Sequence, residues 1–324
     1  MSSVTELPVD TIDDPLEGTI GNFKSNSLWR LTLRRFFRQK SAIIGGVILI
    51  ILVFGAVFAD FVAPYSPTED FIGEPNTSRR DPPCIHLLGC PEEKPQHIMG
   101  LDGNARDVFS RIIYGARISL TVGFVVVGFA IITGTVLGSV AGYSGGWLGN
   151  IIMRILDVVL AFPFLILAIA IVSVLGPGLT NAMLAIAIVS IPAYARVVRS
   201  SVLYVREQSY VEASRALGAS HRQILMGRIL PNSLPPLIVI GTLGIATAIL
   251  DTAALSFIGL GAQPPQPEWG SMLASERNQV FSAPHLVFFP GLAIMLTVLA
   301  FNLLGDGLRD ALDPRLAQAG FDPE

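Results

Sequence analysis

Val211-Glu212-Ala213-Ser214-Arg215-Ala216-Leu217-Gly218-Ala219-Ser220-His221-Arg222-Gln223, closed by Leu230-Pro231, is the one extended polar stretch after residue 118, and long apolar runs flank it on both sides. Its local pattern is helical. Tyr204 to Leu217 is rich in helix formers and ends at Gly218, the residue type that most readily takes the left-handed conformation closing a helix. Ser220 and Gln223 have the spacing of a capping box, so a second helix is expected to start at once, with Pro231 as its stop. The reading is two short helices about a glycine turn, lying across a membrane face and presenting Glu212, Ser214, Arg215 and Arg222 to a partner. A solvated loop that only joins two spans is the alternative that spacing leaves open.

The flanking runs decide the fold class. Of 324 residues, 51% are hydrophobic and only 15% charged, against about 25% charged in soluble domains. This is the composition of a polytopic membrane protein. The formal net charge is -3 and the arginines are dispersed between apolar spans, which argues against a nucleic-acid binder. A spanning helix needs roughly 20 apolar residues. Six runs qualify: Ser41–Ala59, then about Ile118–Ala141, Ile151–Leu175, Ala182–Val198, Leu234–Phe257 and Leu286–Leu304. The expected fold is all-α with six transmembrane helices.

Residues 1–27 are polar and acidic, without an apolar core resembling a signal peptide, and read as a disordered cytosolic tail. The basic cluster Arg30, Arg34, Arg35, Arg38 and Lys40 opens the segment 28–59 and should stay inside. Residues 60–117, broken by seven prolines from Pro64 to Pro95, read as a long extracytoplasmic loop. Residues 118–308 form the core with five spans and the connecting loop 199–231, and 309–324 are a cytosolic tail. This topology puts fifteen Lys and Arg inside against seven outside, with both termini in the cytoplasm.

The first loop holds both cysteines, Cys84 and Cys90. An outside compartment permits a disulfide between them; two free thiols are the alternative. His86 and His97 lie nearby, but neither spacing matches a usual zinc pattern, so no metal site is assigned. Gly123, Gly128, Gly134 and Gly138 read either as close helix contacts or as tolerated membrane glycines.

Chemistry within the chain is sparse. The Lys-Ser pairs Lys24-Ser25 and Lys40-Ser41 follow Phe23 and Gln39, so neither belongs to a phosphate-binding loop. None of the four histidines has a nucleophile partner in a recognisable catalytic motif, so the chain reads as non-catalytic. Intramembrane acids are the remaining suspects, because a charge there is costly and usually faces a cavity or a partner. Asp157 follows Arg154 by three residues and reads as a local ion pair. Asp251, two-thirds through the fifth span, either lines a translocation path or bonds a neighbouring helix. Pro235-Pro236 reads as the first turn of that span.

Glu212-Ala213-Ser214, Gly218 six residues after the Glu, and Leu230-Pro231 resemble the EAA loop of permease subunits of ATP-binding-cassette importers, with Ser214 in place of the usual Ala and Ile229 immediately before the Leu-Pro. His97-Ile98-Met99-Gly100-Leu101-Asp102, Tyr114-Gly115-Ala116-Arg117, Leu160-Ala161-Phe162-Pro163, Leu255-Ser256-Phe257-Ile258-Gly259 and Gly305-Asp306-Gly307-Leu308-Arg309-Asp310 are similar, in order, to the C-type subunit of the dipeptide and oligopeptide branch. The resemblance covers about 30–316; the Cys84–Cys90 region is not part of the usual pattern. It implies a type I importer permease fold in a bacterial cytoplasmic membrane, with Glu212, Ala213, Ser214, Arg215, Gly218, Leu230 and Pro231 forming an ATPase-coupling element. It further implies a homologous B-type permease, two ATPase subunits or one fused chain carrying ATP-Mg, and an extracytoplasmic peptide-binding protein as partners. Lipid is the only other contact, and no cofactor is bound by this chain. Related permeases carry nickel or haem-like compounds, so a non-peptide substrate is one alternative; an ion-gradient-driven secondary transporter is the other.

Overall fold

The computed structural model describes residues 36–312. The expected tail 1–27, the start of the basic segment and the end of the C-terminal tail lie outside the described residues. Helix α1 is Lys40–Val57 and α2 the short Ala59–Val62; α3 is Val108–Ser144, α4 Gly146–Leu160, α5 Phe164–Leu175 and α6 Leu179–Arg206. After α6 come α7 (Ser209–Ala216), α8 (His221–Ile224), a π-helical turn (Leu225–Ile229), α9 (Leu230–Phe257), α10 (Trp269–Glu276) and α11 (His285–Leu312). Among the described residues only two isolated bridges, Cys84 with His97 and Leu101 with Asp107, have β character. The all-α expectation holds.

Five helices are long and apolar enough to span a membrane, and the α4–α5 pair makes a sixth if its two arms count as one span. That pair corrects the expected straight helix over 151–175: it bends by 90°. Pro163 has no N–H to donate, its own backbone is extended at ψ 128°, and a residue preceding proline is disfavoured in the helical region, so α4 ends at Leu160 and α5 restarts at Phe164. The second span also starts earlier than the sequence indicates. Asp107 caps α3 by accepting from the Ser110 amide at 2.7 Å, so Arg111 and Arg117, counted with the first loop, lie on the helix. With 37 residues, α3 is about 55 Å long at about 1.5 Å per residue and projects beyond a hydrocarbon core of about 30 Å.

The most extensive helix contact is between α3 and α6, with α9 packed on both and α11 between α1 and α9. Small residues on α3 make the first contact possible. A Cβ at Gly134 would lie 2.8 Å from Tyr194 Cβ, and one at Gly142 2.9 Å from Val202; Gly138, one turn from each, faces the Ala195 carbonyl more closely still. These three glycines share a helix face, and in lipid such close backbone approach replaces the missing hydrophobic drive. Gly123 is similarly pressed against Ile245 and Ile249, whereas Gly128 has nothing within 4 Å and is simply tolerated.

One end of the bundle is capped by residues 63–107 and α10. Trp269 is fully buried and donates to the Ile112 carbonyl at 3.1 Å, and Glu268 caps α10 by accepting from Gly270 and Ser271. Arg80 reaches Glu276 at 2.9 Å, and Asp102 pairs with Arg106 at 2.8 Å. Cys84 and Cys90 are bonded, with Cα atoms 5.4 Å apart. His86 is engaged with the Lys94 carbonyl and His97 Nδ1 with Asp107, while His97 Nε2 is buried without a hydrogen-bond partner.

The opposite end carries the 207–229 connection. Gln39 donates to Asp310 there at 2.8 Å, so the start of α1 and the end of α11 share that end.

Candidate coupling site

The connection between α6 and α9 is built from the chain outward. Val211, Ile224 and Ile229 are all buried against the bundle and act as its three apolar anchors. Between the first two, α7 stands on the surface with Glu212, Ala213, Arg215, Ala216 and Leu217 exposed. Ser214 is half-buried and donates back to the Tyr210 carbonyl at 2.8 Å, which corrects its placement among the fully presented side chains.

The turn after α7 forms as its residues dictate. Gly218 has φ +83°, its N–H donates to the Arg215 carbonyl and the Ala219 N–H to the Ser214 carbonyl, the two bonds of a Schellman closure. Ser220 and Gln223 then make both bonds of the capping box and start α8.

Two expectations fail here. The helix-rich run 204–217 is divided at Glu207–Gln208, because Gln208 takes an extended conformation between α6 and α7. Pro231 does not stop the second helix: His221–Phe257 runs on as a single candidate span of 37 residues. The π turn over Leu225–Ile229 widens the backbone just where the Pro231 ring would otherwise meet the preceding turn, and Asn232 and Ser233 donate to the Arg228 and Ile229 carbonyls. For the same reason Pro235 and Pro236 sit inside α9 rather than at its first turn. Leu230 is half-buried and Pro231 exposed at this junction.

What the sequence did not reveal is how the element is clamped. Arg206 Nη1 donates to the Gly142 and Tyr143 carbonyls, both at 3.3 Å, placing a cation on the C-terminal carbonyls of α3. Its Nη2 pairs with Glu207 at 3.0 Å. The Tyr143 hydroxyl bonds His221 Nδ1 at 2.7 Å. The end of α3 is therefore tied by short polar links to the elements on both sides of α7. Arg206 was legible only as one more positive charge; the α3 carbonyls it clamps are more than 60 residues away.

Of the intramembrane acids, Asp157 pairs with Arg196 on α6 at 2.8 Å and not with Arg154. Met153 and Leu156 pack on Ala195, which brings the next position of α4 opposite the next position of α6. Asp251 is half-buried and has no ion-pair partner among the described residues.

Comparison with known proteins fits this architecture. Residues 134–318 match the binding-protein-dependent transport system inner membrane component family, and residues 27–83 match the N-terminal TM domain of oligopeptide transport permease C. The chain is 49% identical over 290 residues to the dipeptide transport system permease protein DppC of Alkalihalophilus pseudofirmus, covering 90% of this chain and 91% of that protein. It is 48% identical to the di/tripeptide transport system permease protein DppC of Pseudomonas aeruginosa, covering 88% and 91%, and 46% identical to the glutathione transport system permease protein GsiD of Pectobacterium atrosepticum, covering 89% and 91%. Among solved structures, an inward-facing conformation of the MetNI methionine ABC transporter superposes with a TM-score of 0.53 at 22% identity, over 63% of this chain and 96% of that one.

Proposed function

The chain belongs to the family of binding-protein-dependent transport system inner membrane components, in its dipeptide and oligopeptide permease branch, and we propose that it forms half of the translocation path of an ATP-binding-cassette importer of di- and oligopeptides. Its relatives are permeases named for dipeptides, di/tripeptides and glutathione, and that range supports short peptides as the cargo. The end bearing α7 is cytoplasmic, as are both termini, and the disulfide-bonded cap faces the oxidising side.

One observation carries the coupling role: α7 stands exposed at the end of the bundle while Arg206 and the Tyr143–His221 bond fix its neighbours to α3. In this reading Glu212, Ala213, Ser214, Arg215 and Gly218 form the seat for an ATPase, and Leu230-Pro231 joins that seat to α9. ATP-Mg binds the ATPases, two subunits or one fused chain; a homologous B-type permease completes the path, and an extracytoplasmic binding protein delivers peptide to the cap. ATPase closure pushes α7, and the spans shift between inward- and outward-facing arrangements according to which state the bound nucleotide and peptide favour.

The test is uptake by the assembled complex in proteoliposomes. Peptide accumulation that requires ATP and survives collapse of ion gradients supports the proposal; accumulation that follows an ion gradient without ATP refutes it. Purification of this chain is expected to bring the second permease and the ATPases with it.

A further inference from the structure

Resting on the permease reading, we propose that this chain's half of the path is one face of α9, running from Asp251 to a polar-rimmed cavity at Arg309, and that this face handles zwitterionic peptides. The cavity, about 760 Å³, lies between α6, α9 and α11 beside the coupling element, with Ser200, Ser201, Tyr204, Asn232 and Arg309 among its lining residues. Leu243 also lines it, and the next turns of α9 carry Thr247, which is exposed, and Asp251, which is half-buried. Positions 243, 247 and 251 are successive fours and share one helix face. The cavity and the acid thus belong to one continuous surface.

The occupant follows from a contrast between faces. On α1 the exposed side chains include Ile43, Val47, Ile50 and Phe54, and on α3 from residue 124 onward they include Phe124, Phe129, Ile132 and Val136, as a lipid-facing surface requires, while the exposed Thr121 turns its hydroxyl back onto the Arg117 carbonyl. The α9 face instead bears a half-buried carboxylate with no ion-pair partner among the described residues, beside the exposed Thr247 and Leu250, and leads to a largely apolar cavity rimmed by Ser200, Ser201, Asn232 and Arg309; an unpaired carboxylate is costly against acyl chains but ordinary along a hydrated path. Its two formal charges are opposite and stand at opposite ends. Asp251 is eight residues from Leu243, the nearest α9 residue of the cavity wall, about 12 Å along the helix, and an extended tripeptide reaches only about 10 Å. The two charges therefore act in turn: the carboxylate of Asp251 meets the α-amine at one threshold, and the guanidinium of Arg309 meets the terminal carboxylate at the other.

The test uses the assembled transporter in proteoliposomes, with single cysteines at Thr247 or Ser201 and a control at Ile132 on the lipid-facing side of α3. The native cysteines are bonded to each other. A membrane-impermeant charged thiol reagent should modify T247C and S201C at least tenfold faster than I132C, peptide should slow that modification, and modification should stop uptake. Labelling no faster than at I132C, which means lipid, or protection in every state irrespective of peptide, which means a covering helix of the partner permease, overturns the proposal. In the same system Asp251→Asn should raise KM selectively for free-amine peptides over N-acetylated ones, and Arg309→Gln for free-carboxylate peptides over amidated ones. Equal losses for both members of each pair mean a structural role and also overturn it. Failure of the unmodified complex to take up peptide with ATP would sink the permease reading itself; uptake with lipid-like labelling sinks only this path.

Discussion

Substitutions at Gly218 separate backbone conformation from contact at the coupling element. Gly218 has φ +83°, and a Cβ placed there would meet nothing within 4 Å, so Gly218→Ala adds no clash. Its cost is that of holding an L-residue in the left-handed region, about 1–2 kcal/mol. A penalty of that size lowers the ratio of closed to open turn by a factor of about 5–30. Gly218→Asn should cost less, because Asn tolerates this region and is the usual second choice at the closing position. Gly218→Pro fixes φ near the opposite sign and deletes the N–H that donates to the Arg215 carbonyl, so it should abolish the turn. The expected order of peptide uptake and peptide-stimulated ATP hydrolysis in the reconstituted complex is wild type, then Asn, Ala and Pro, with all four chains inserted equally. Equal coupling in wild type, Ala and Pro, or Asn performing worse than Ala, would refute the reasoning, since the turn would then not limit transmission.

Other outcomes follow from the same geometry. Tyr143→Phe removes the bond to His221 at the cost of about 1 kcal/mol and should reduce coupled ATP hydrolysis without altering expression; an unchanged coupling ratio would exclude this link. Gly138→Val should destabilise the α3–α6 contact, whereas Gly128→Ala, with open space around it, should be neutral, as a thermal melt of the purified complex will read. Replacing both Cys84 and Cys90 by Ser removes a bond closing a short loop, worth about 2 kcal/mol in the chain-entropy account, and should make the cap's proteolytic resistance insensitive to reductant. Burial pushes the Glu268 carboxyl above its ordinary value of 4.5, against the opposing pull of the Gly270 and Ser271 amides. A group raised in the folded state contributes stability below its unfolded pKa and loses that contribution as pH rises through the folded one. Stability of the cap should therefore fall with rising pH above about 4.5, and Glu268→Gln should flatten that slope in pH-dependent melts.

Much of the coupling element was readable because its rules are local. Gly218 closes α7, and Ser220 with Gln223 opens α8, through bonds spanning three to five residues, so neighbouring residue types suffice to specify them. The apolar runs marked the spans for the same reason, since each must satisfy its own backbone in lipid. Boundaries fared worse where a single residue acts on geometry. Pro163 breaks a run that hydropathy joins, and Pro231 fails to break one because the preceding π turn makes room for it.

The sequence by itself therefore determined the helical class, the spans, the polar island and its turn, all properties of near neighbours along the chain. Tertiary structure alone decided which groups meet across it. Arg206 on the end of α3, Asp157 with Arg196 rather than Arg154, the three glycines of α3 against α6, and the cavity that α6, α9 and α11 enclose beside Arg309 are all examples. Such pairings depend on how long helices are rotated and offset when packed, and no local pattern of residue types records that choice.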